Sequence, residues 1–175
     1  MNKFFKISKK EVLPIIGLIL FLSIFRLLPH PHNFTPILAA GVFSGFYFKN
    51  FILSFFVIVF SMFIGDLYFG FHATMFFTYI SLAVAVGIGH FFIRKFKYSS
   101  ILLGGITSSI CFFVITNFGA WLTLEMYEKN FSGLIQSYFL AIPFFHNTLL
   151  STLFYLIIVK LVFDFSVKKA VKNSF

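Results

Sequence analysis

Six runs of apolar residues, separated by short breaks that carry polar, charged or proline residues, dictate what this chain can fold into. Where no water reaches the backbone, every N–H and C=O must be satisfied within the segment, so a crossing helix needs ~20 residues to traverse a ~30 Å hydrocarbon core. The runs cover residues 12–28, 36–48, 51–70, 73–93, 101–122 and 143–165. The second is short and bounded by Lys49 and Asn50, so it spans with the help of its flanking loop or enters the membrane incompletely. With 59% hydrophobic residues, 31 Phe and only 11% charged residues, the chain has too little polar surface for a soluble domain. It reads as an all-α integral membrane protein, a single transmembrane domain over residues 1–175 built as a six-transmembrane-helix bundle.

The basic residues orient this bundle, because Lys and Arg in short loops stay on the cytoplasmic side during insertion. Lys3, Lys6, Lys9 and Lys10 precede the first run, Lys49 separates the second from the third, Arg94, Lys95 and Lys97 separate the fourth from the fifth, and Lys160, Lys168, Lys169 and Lys172 end the chain. All of these fall inside if both termini are cytoplasmic, leaving Arg26 and Lys129 outside with Glu125 and Glu128. The formal charge of +9 is then a topogenic signal with a weaker attraction to lipid headgroups, and it implies no nucleic acid. The first run has a basic leader but no small-x-small cleavage pattern, and reads as a permanent span. The lone Cys111 lies within the fifth run, which excludes an internal disulfide and a cysteine-based zinc site.

The outer ends of the runs carry the candidate chemistry. The first outer connection holds Arg26, His30, His32 and Asn33 among Pro29, Pro31 and Pro36, so it is stiff and presents those groups with little ordering entropy. Asp66 lies about one turn from the outer end of an apolar helix, where a carboxylate is expensive unless paired or hydrated, and Arg26 is the partner at matching depth. His72 closes the next turn. Asn117 and Trp121, four apart, share a helix face. Pro143 in the favoured first helical position places His146 and Asn147 in a first turn, near unpaired N–H groups. Together Arg26, His30, His32, Asn33, Asp66, His72, Asn117, Trp121, His146 and Asn147 describe a ligand-binding pocket open to the outer side, with Trp121, Phe118 and Phe144 as stacking walls. Residues 131–141 read as a separate interfacial helix, and residues 123–142 with the proline-rich loop as a gate. Small residues on the second run, Ala40 with Ser44 and Gly41 with Gly45, permit close helix contact, either internal or with a partner. Asp164 is spaced for helical ion pairs with Lys160 and Lys168, and His90 reads as interfacial.

No phosphate-binding loop, zinc-protease helix or Ser or Cys nucleophile with an evident base is present, so the chain reads as a non-enzyme without a cofactor. Energy for transport would come from another chain or an ion gradient.

The strings from Arg26 to Pro36, Gly65-Asp66 with Gly70-Phe71-His72, Thr116 to Trp121, and Ile142 to Thr148 resemble those of a family of small multi-pass bacterial membrane proteins with no assigned activity. The size and six-helix layout are similar to the S components, the substrate-binding subunits, of energy-coupling factor (ECF) transporters. That resemblance implies a vitamin-like small-molecule solute bound near the outer face, a transmembrane coupling protein and ATPase subunits as partners, and the bacterial inner membrane as the location. The first run lacks the Ala-x-x-x-Ala docking pattern common in S components, and the N-terminal Met-His arrangement of the nickel and cobalt types is absent. Two alternatives stand beside uptake of a vitamin-like solute. One is a divalent metal (nickel, cobalt or zinc) uptake component using His30, His32, Asp66 and His72. The other is a non-transporting membrane scaffold in which the outer polar cluster is a dry ion-pair network.

Overall fold

A computed structural model describes residues 9–172, with side chains described from 12 to 166. The helices are α1 (Lys9–Leu27), α2 (Ile37–Phe48), α3 (Phe51–Phe69), α4 (Met75–Gly87, extended by a π-helical turn over Ile88–Phe92), α5 (Tyr98–Thr123) and α6 (Phe131–Lys172). The described residues contain no strand. Four stretches are long and apolar enough to cross a membrane: Phe51–Phe69, Met75–Phe92, Tyr98–Thr123 and Phe131–Ser166. Val12–Leu27 and Ile37–Phe48 are apolar but shorter. Large apolar side chains such as Leu13, Phe56, Leu103, Phe139 and Phe165 face outward, the arrangement of a membrane protein whose solvent is lipid. The side chains of Lys3, Lys6, Lys9, Lys10, Lys168, Lys169 and Lys172 lie outside the described residues.

The short second run becomes the axis of the bundle. At 1.5 Å per residue its helix is ~18 Å long, well under the ~30 Å hydrocarbon core. It nevertheless touches all five other helices, and Leu38, Ala39, Ala40, Gly41, Val42, Ser44, Gly45 and Phe48 are buried. Being enclosed by protein, it need not match the bilayer, and the non-helical chain beyond its N-terminus borders a cavity.

Small residues let α2 lie against α4. A Cβ on Gly45 would collide with the Val86 carbonyl oxygen, and one on Gly89 with the Val42 carbonyl oxygen, while Gly41 faces Ala85 Cβ at 3.3 Å. Gly41 and Gly45 on one helix thus meet Ala85 and Gly89 on the other at the same four-residue spacing, and the pattern serves internal packing. Buried serines tie neighbours together: Ser54 Oγ donates to Ser44 O at 2.8 Å, and Ser23 Oγ to Ser61 O at 3.3 Å.

One expectation is overturned by tertiary packing. Residues 131–141 do not form a separate interfacial helix, and Pro143 does not open the last span; α6 runs unbroken from Phe131 with Pro143 inside it. Its first turns pack along the end of α5, where Tyr138 Oη donates to Val114 O at 2.9 Å and Ser137 Oγ to Asn117 O at 3.3 Å. Inside such a bundle neighbours support a helix across the hydrogen bond that proline removes. The true start is Asn130, whose Oδ1 accepts from Gly133 N at 2.9 Å. At the far end Lys160 pairs with Asp164 and lies 5.0 Å from the Tyr98 ring centroid, while the second spaced pair, Asp164 with Lys168, falls outside the described side chains. His90 sits in the π-helical turn against Phe51 and Phe91 with its Nδ1 buried.

Candidate functional site

Beyond the N-terminus of α2 the helix ends diverge around a cavity of about 750 Å³. The α1 end and its following loop, the C-terminal parts of α3 and α5, the start of α4 and the middle of α6 supply its walls. The volume falls within the range typical of small-molecule sites, ~300–1,000 Å³.

Arg26 marks its base. Nη1 donates to Met62 O at 2.7 Å and lies 2.8 Å from Asp66 Oδ1 without an aligned hydrogen bond, so the contact with the carboxylate is coulombic. The guanidinium stands 5.7 Å from the Phe69 ring centroid. It seats against α3 because residue 65 is glycine: a Cβ there would come within 2.5 Å of Nη1. Tyr79 Oη donates to Asp66 Oδ2 at 2.5 Å. Asp66 is thus fully enclosed by a cation and a phenol, whereas the Arg26 side chain keeps 21% exposure on the cavity side. Among the described residues Arg26 Nε and Nη2 donate no hydrogen bond.

The proline-rich loop is bolted down along its length. Phe34 N bonds to Pro31 O at 2.9 Å, and Asn33 adopts a φ of 60°, a left-handed conformation that Asn tolerates better than most residues. His30 Nδ1 donates to Leu28 O at 2.6 Å, leaving Nε2 as the other ring nitrogen. From α6, Asn147 Nδ2 donates to His32 O at 2.9 Å and Ser151 Oγ to Asn33 O at 3.4 Å. Phe34 packs its ring on Phe154 and Tyr155. Asn147→Ala removes the polar tie to His32; thermal unfolding in detergent is expected to show a loss of about 1 kcal/mol, and faster proteolysis at residues 28–36.

Six of the ten candidate residues line the cavity: Arg26, His30, His32, Asn33, His72 and Asn117. His72 Nδ1 meets Thr74 Oγ1 at 2.9 Å, and Asn117 Nδ2 is occupied by Phe113 O at 2.7 Å, leaving its carbonyl oxygen for other partners. The other four have different places. Asp66 is sealed behind Arg26. Trp121 turns away to donate from Nε1 to Glu128 O at 2.9 Å, and Lys129 Nζ caps the same helix end at Trp121 O and Leu124 O, so residues 124–130 are a pinned connection. His146 is exposed on α6, and Asn147 holds the loop from behind. Because α6 continues through Pro143, neither lies in a first helical turn.

The stacking walls also differ from expectation. Phe25, Phe69 and Phe112 line the cavity; Phe118 packs on Phe77 and Trp121, and Phe144 borders only an adjoining pocket of about 90 Å³. Tyr79, Thr148, Ser151 and Thr152 were not legible as site residues. The only cue was that buried hydroxyls on apolar helices need partners. Among the described residues no three His, Cys, Asp or Glu side chains come together as a metal-binding group. His30, His32, Asp66 and His72 therefore form no ligand set, the carboxylate being committed to Arg26 and Tyr79.

A model described as a family of unknown function, DUF6580, matches residues 6–173. The chain belongs to this family. In this DUF6580 member the match covers every helix described above, including the loop and helix ends that build the cavity. No curated protein and no solved structure matches it.

Proposed function

We propose that this protein is a solute-binding membrane subunit for uptake of a small, vitamin-like molecule, with the cavity on the outer face, both termini cytoplasmic and the bacterial inner membrane as its setting. The cavity of about 750 Å³ carries this reading, because it gathers polar groups from five helices and a fixed loop around one hollow in an apolar bundle. A purely structural polar network would close such a space. The six-helix S-component-like layout makes a transmembrane coupling protein and ATPase subunits the natural partners, since this chain carries no nucleotide-binding motif. A non-transporting scaffold is the second reading, favoured by the complete burial of Asp66 between Arg26 and Tyr79.

Native mass spectrometry of the gently solubilised protein separates the two. Ala120 lines the cavity from α5, and its side chain makes no hydrogen bond, so Ala120→Trp obstructs part of the space without breaking the polar network. The uptake reading expects a small-molecule adduct on the wild type that is lost in Ala120→Trp. A bare chain in both, or one carrying only lipid, sinks it in favour of the scaffold.

A further inference from the structure

The charges around the cavity are unbalanced in a way that selects its occupant. Among the described residues, Arg26 is the only Lys, Arg, Asp or Glu in the lining. Its partner Asp66 is enclosed behind it, so the pair presents its positive end to the cavity. Nε and Nη2 of Arg26, with three N–H groups between them, have no hydrogen-bond acceptor among the described residues. On the same wall system, Thr35, Pro36, Ile37 and Leu38 bring the N-terminus of α2 to the cavity, and no side chain caps it. The first-turn N–H groups and the helix dipole add a positive field there. The remaining walls alternate apolar side chains, Leu22, Phe25, Phe69, Phe112 and Leu124 among them, with hydroxyl, amide and imidazole groups.

We infer that the cavity takes a monoanion, a solute bearing one carboxylate on a body of mixed apolar and hydrogen-bonding surface, with Arg26 receiving the carboxylate. The planar fork of a guanidinium matches a carboxylate in two parallel hydrogen bonds. A phosphate dianion is disfavoured because Arg26 is already paired with Asp66 and, among the described residues, no Lys lines the cavity to share the second charge. A cationic solute is disfavoured because no carboxylate at a described position lines the cavity. His30, His32 and His72 supply hydrogen bonds to polar groups on the body of the solute.

This inference rests on the solute-binding proposal, and the experiment distinguishes failure of the one from failure of the other. Phenylacetate, 3-phenylpropionate and 4-phenylbutyrate are titrated calorimetrically into the full-length protein in detergent, each beside its uncharged primary amide. The carboxylates are expected to bind at least about tenfold more tightly than their amides, the scale of one charge-assisted interaction. Arg26→Gln alone leaves Asp66 buried without its cation and risks misfolding. The double variant Arg26→Gln/Asp66→Asn removes both charges, keeps a partner for Tyr79, and is expected to stay folded while losing the preference for the acid. Equal or tighter binding of the amides overturns the carboxylate inference and leaves solute binding standing, as does persistence of the preference in a folded double variant. If no member of the panel binds, the carboxylate inference falls. The native mass spectrum then decides the wider proposal: an uncharged or cationic adduct keeps it, and a bare chain removes both.

Discussion

Asp66→Ala is expected to lower the stability of the protein by about 3 kcal/mol, read as a fall in the thermal midpoint in detergent. Removing one partner of a buried ion pair leaves the other charge uncompensated, at a typical cost of ~3–5 kcal/mol. The lower end applies because the Arg26 side chain retains 21% exposure on the cavity side and can gain some hydration. Tyr79 would lose its acceptor as well, adding an unsatisfied hydroxyl. Asp66→Asn should cost less, since it keeps an oxygen for Tyr79 while giving up the charge. Arg26→Gln/Asp66→Asn should recover much of the Asp66→Ala loss, because no unpaired charge then remains in the bundle. A midpoint for Asp66→Ala equivalent to less than about 0.5 kcal/mol below wild type would show that the pair carries no structural weight.

Gly45→Leu is expected to have the larger effect and to leave no folded protein that elutes as a single species on size exclusion. Gly45 lies against the backbone of α4: even a lone Cβ would strike the Val86 carbonyl oxygen and come within 2.9 Å of His90 N. Backbone cannot rotate aside as a side chain would, so α2 and α4 must separate. Overpacking in an adaptable core costs ~1–3 kcal/mol, and here the helix crossing itself is lost. Gly89→Leu should behave alike, because its Cβ meets the Val42 carbonyl oxygen from the opposite side. Gly17→Ala in α1 is the control. It has open space around the added methyl and should be neutral or stabilising by up to about 1 kcal/mol, since alanine outranks glycine in a helix interior. Similar losses at Gly17 and Gly45 would mean that helix propensity, not close approach, governs these positions.

These two positions differ in how readily they could be read from the chain. Asp66 stands out in any apolar run because an ionisable group in lipid needs a reason, and Arg26 was the one base at its depth. The pairing was therefore foreseeable from chemistry alone, and the structure contains it. Gly41 and Gly45 advertised a close contact through their spacing, but spacing does not identify the opposing surface. That surface proved to be Ala85 and Gly89 of α4, within the same chain. Tyr79 lay hidden because a tyrosine in an apolar helix is unremarkable until the carboxylate it serves is known.

The last helix shows where local rules gave way. Pro143 is a sound signal for a helix start, and residues 131–141 have the aromatics of an interfacial segment. The contacts of Ser137 and Tyr138 with α5 nevertheless hold the chain helical from Phe131 onward. His146 and Asn147 consequently moved from a helix end into its interior. Asn147 became a clamp on the proline-rich loop, and His146 faced outward. Trp121 likewise joined the connection at residues 124–130 because Glu128 O offered its indole N–H a partner.

What the sequence determined by itself was the membrane class, the helical content, the approximate limits of most helices and the pairing of Asp66 with Arg26. These follow from one-dimensional quantities: the length of apolar runs, the breaks that bound them, and the cost of an isolated charge in lipid. What only the tertiary structure decided was which polar residues share a cavity, that the shortest helix is the central one, and that α6 passes through its proline. Those depend on which surfaces meet across the bundle, and whether a side chain faces a cavity, a neighbouring carbonyl or lipid is set by the rotation and approach of whole helices, which spacing along one chain does not encode.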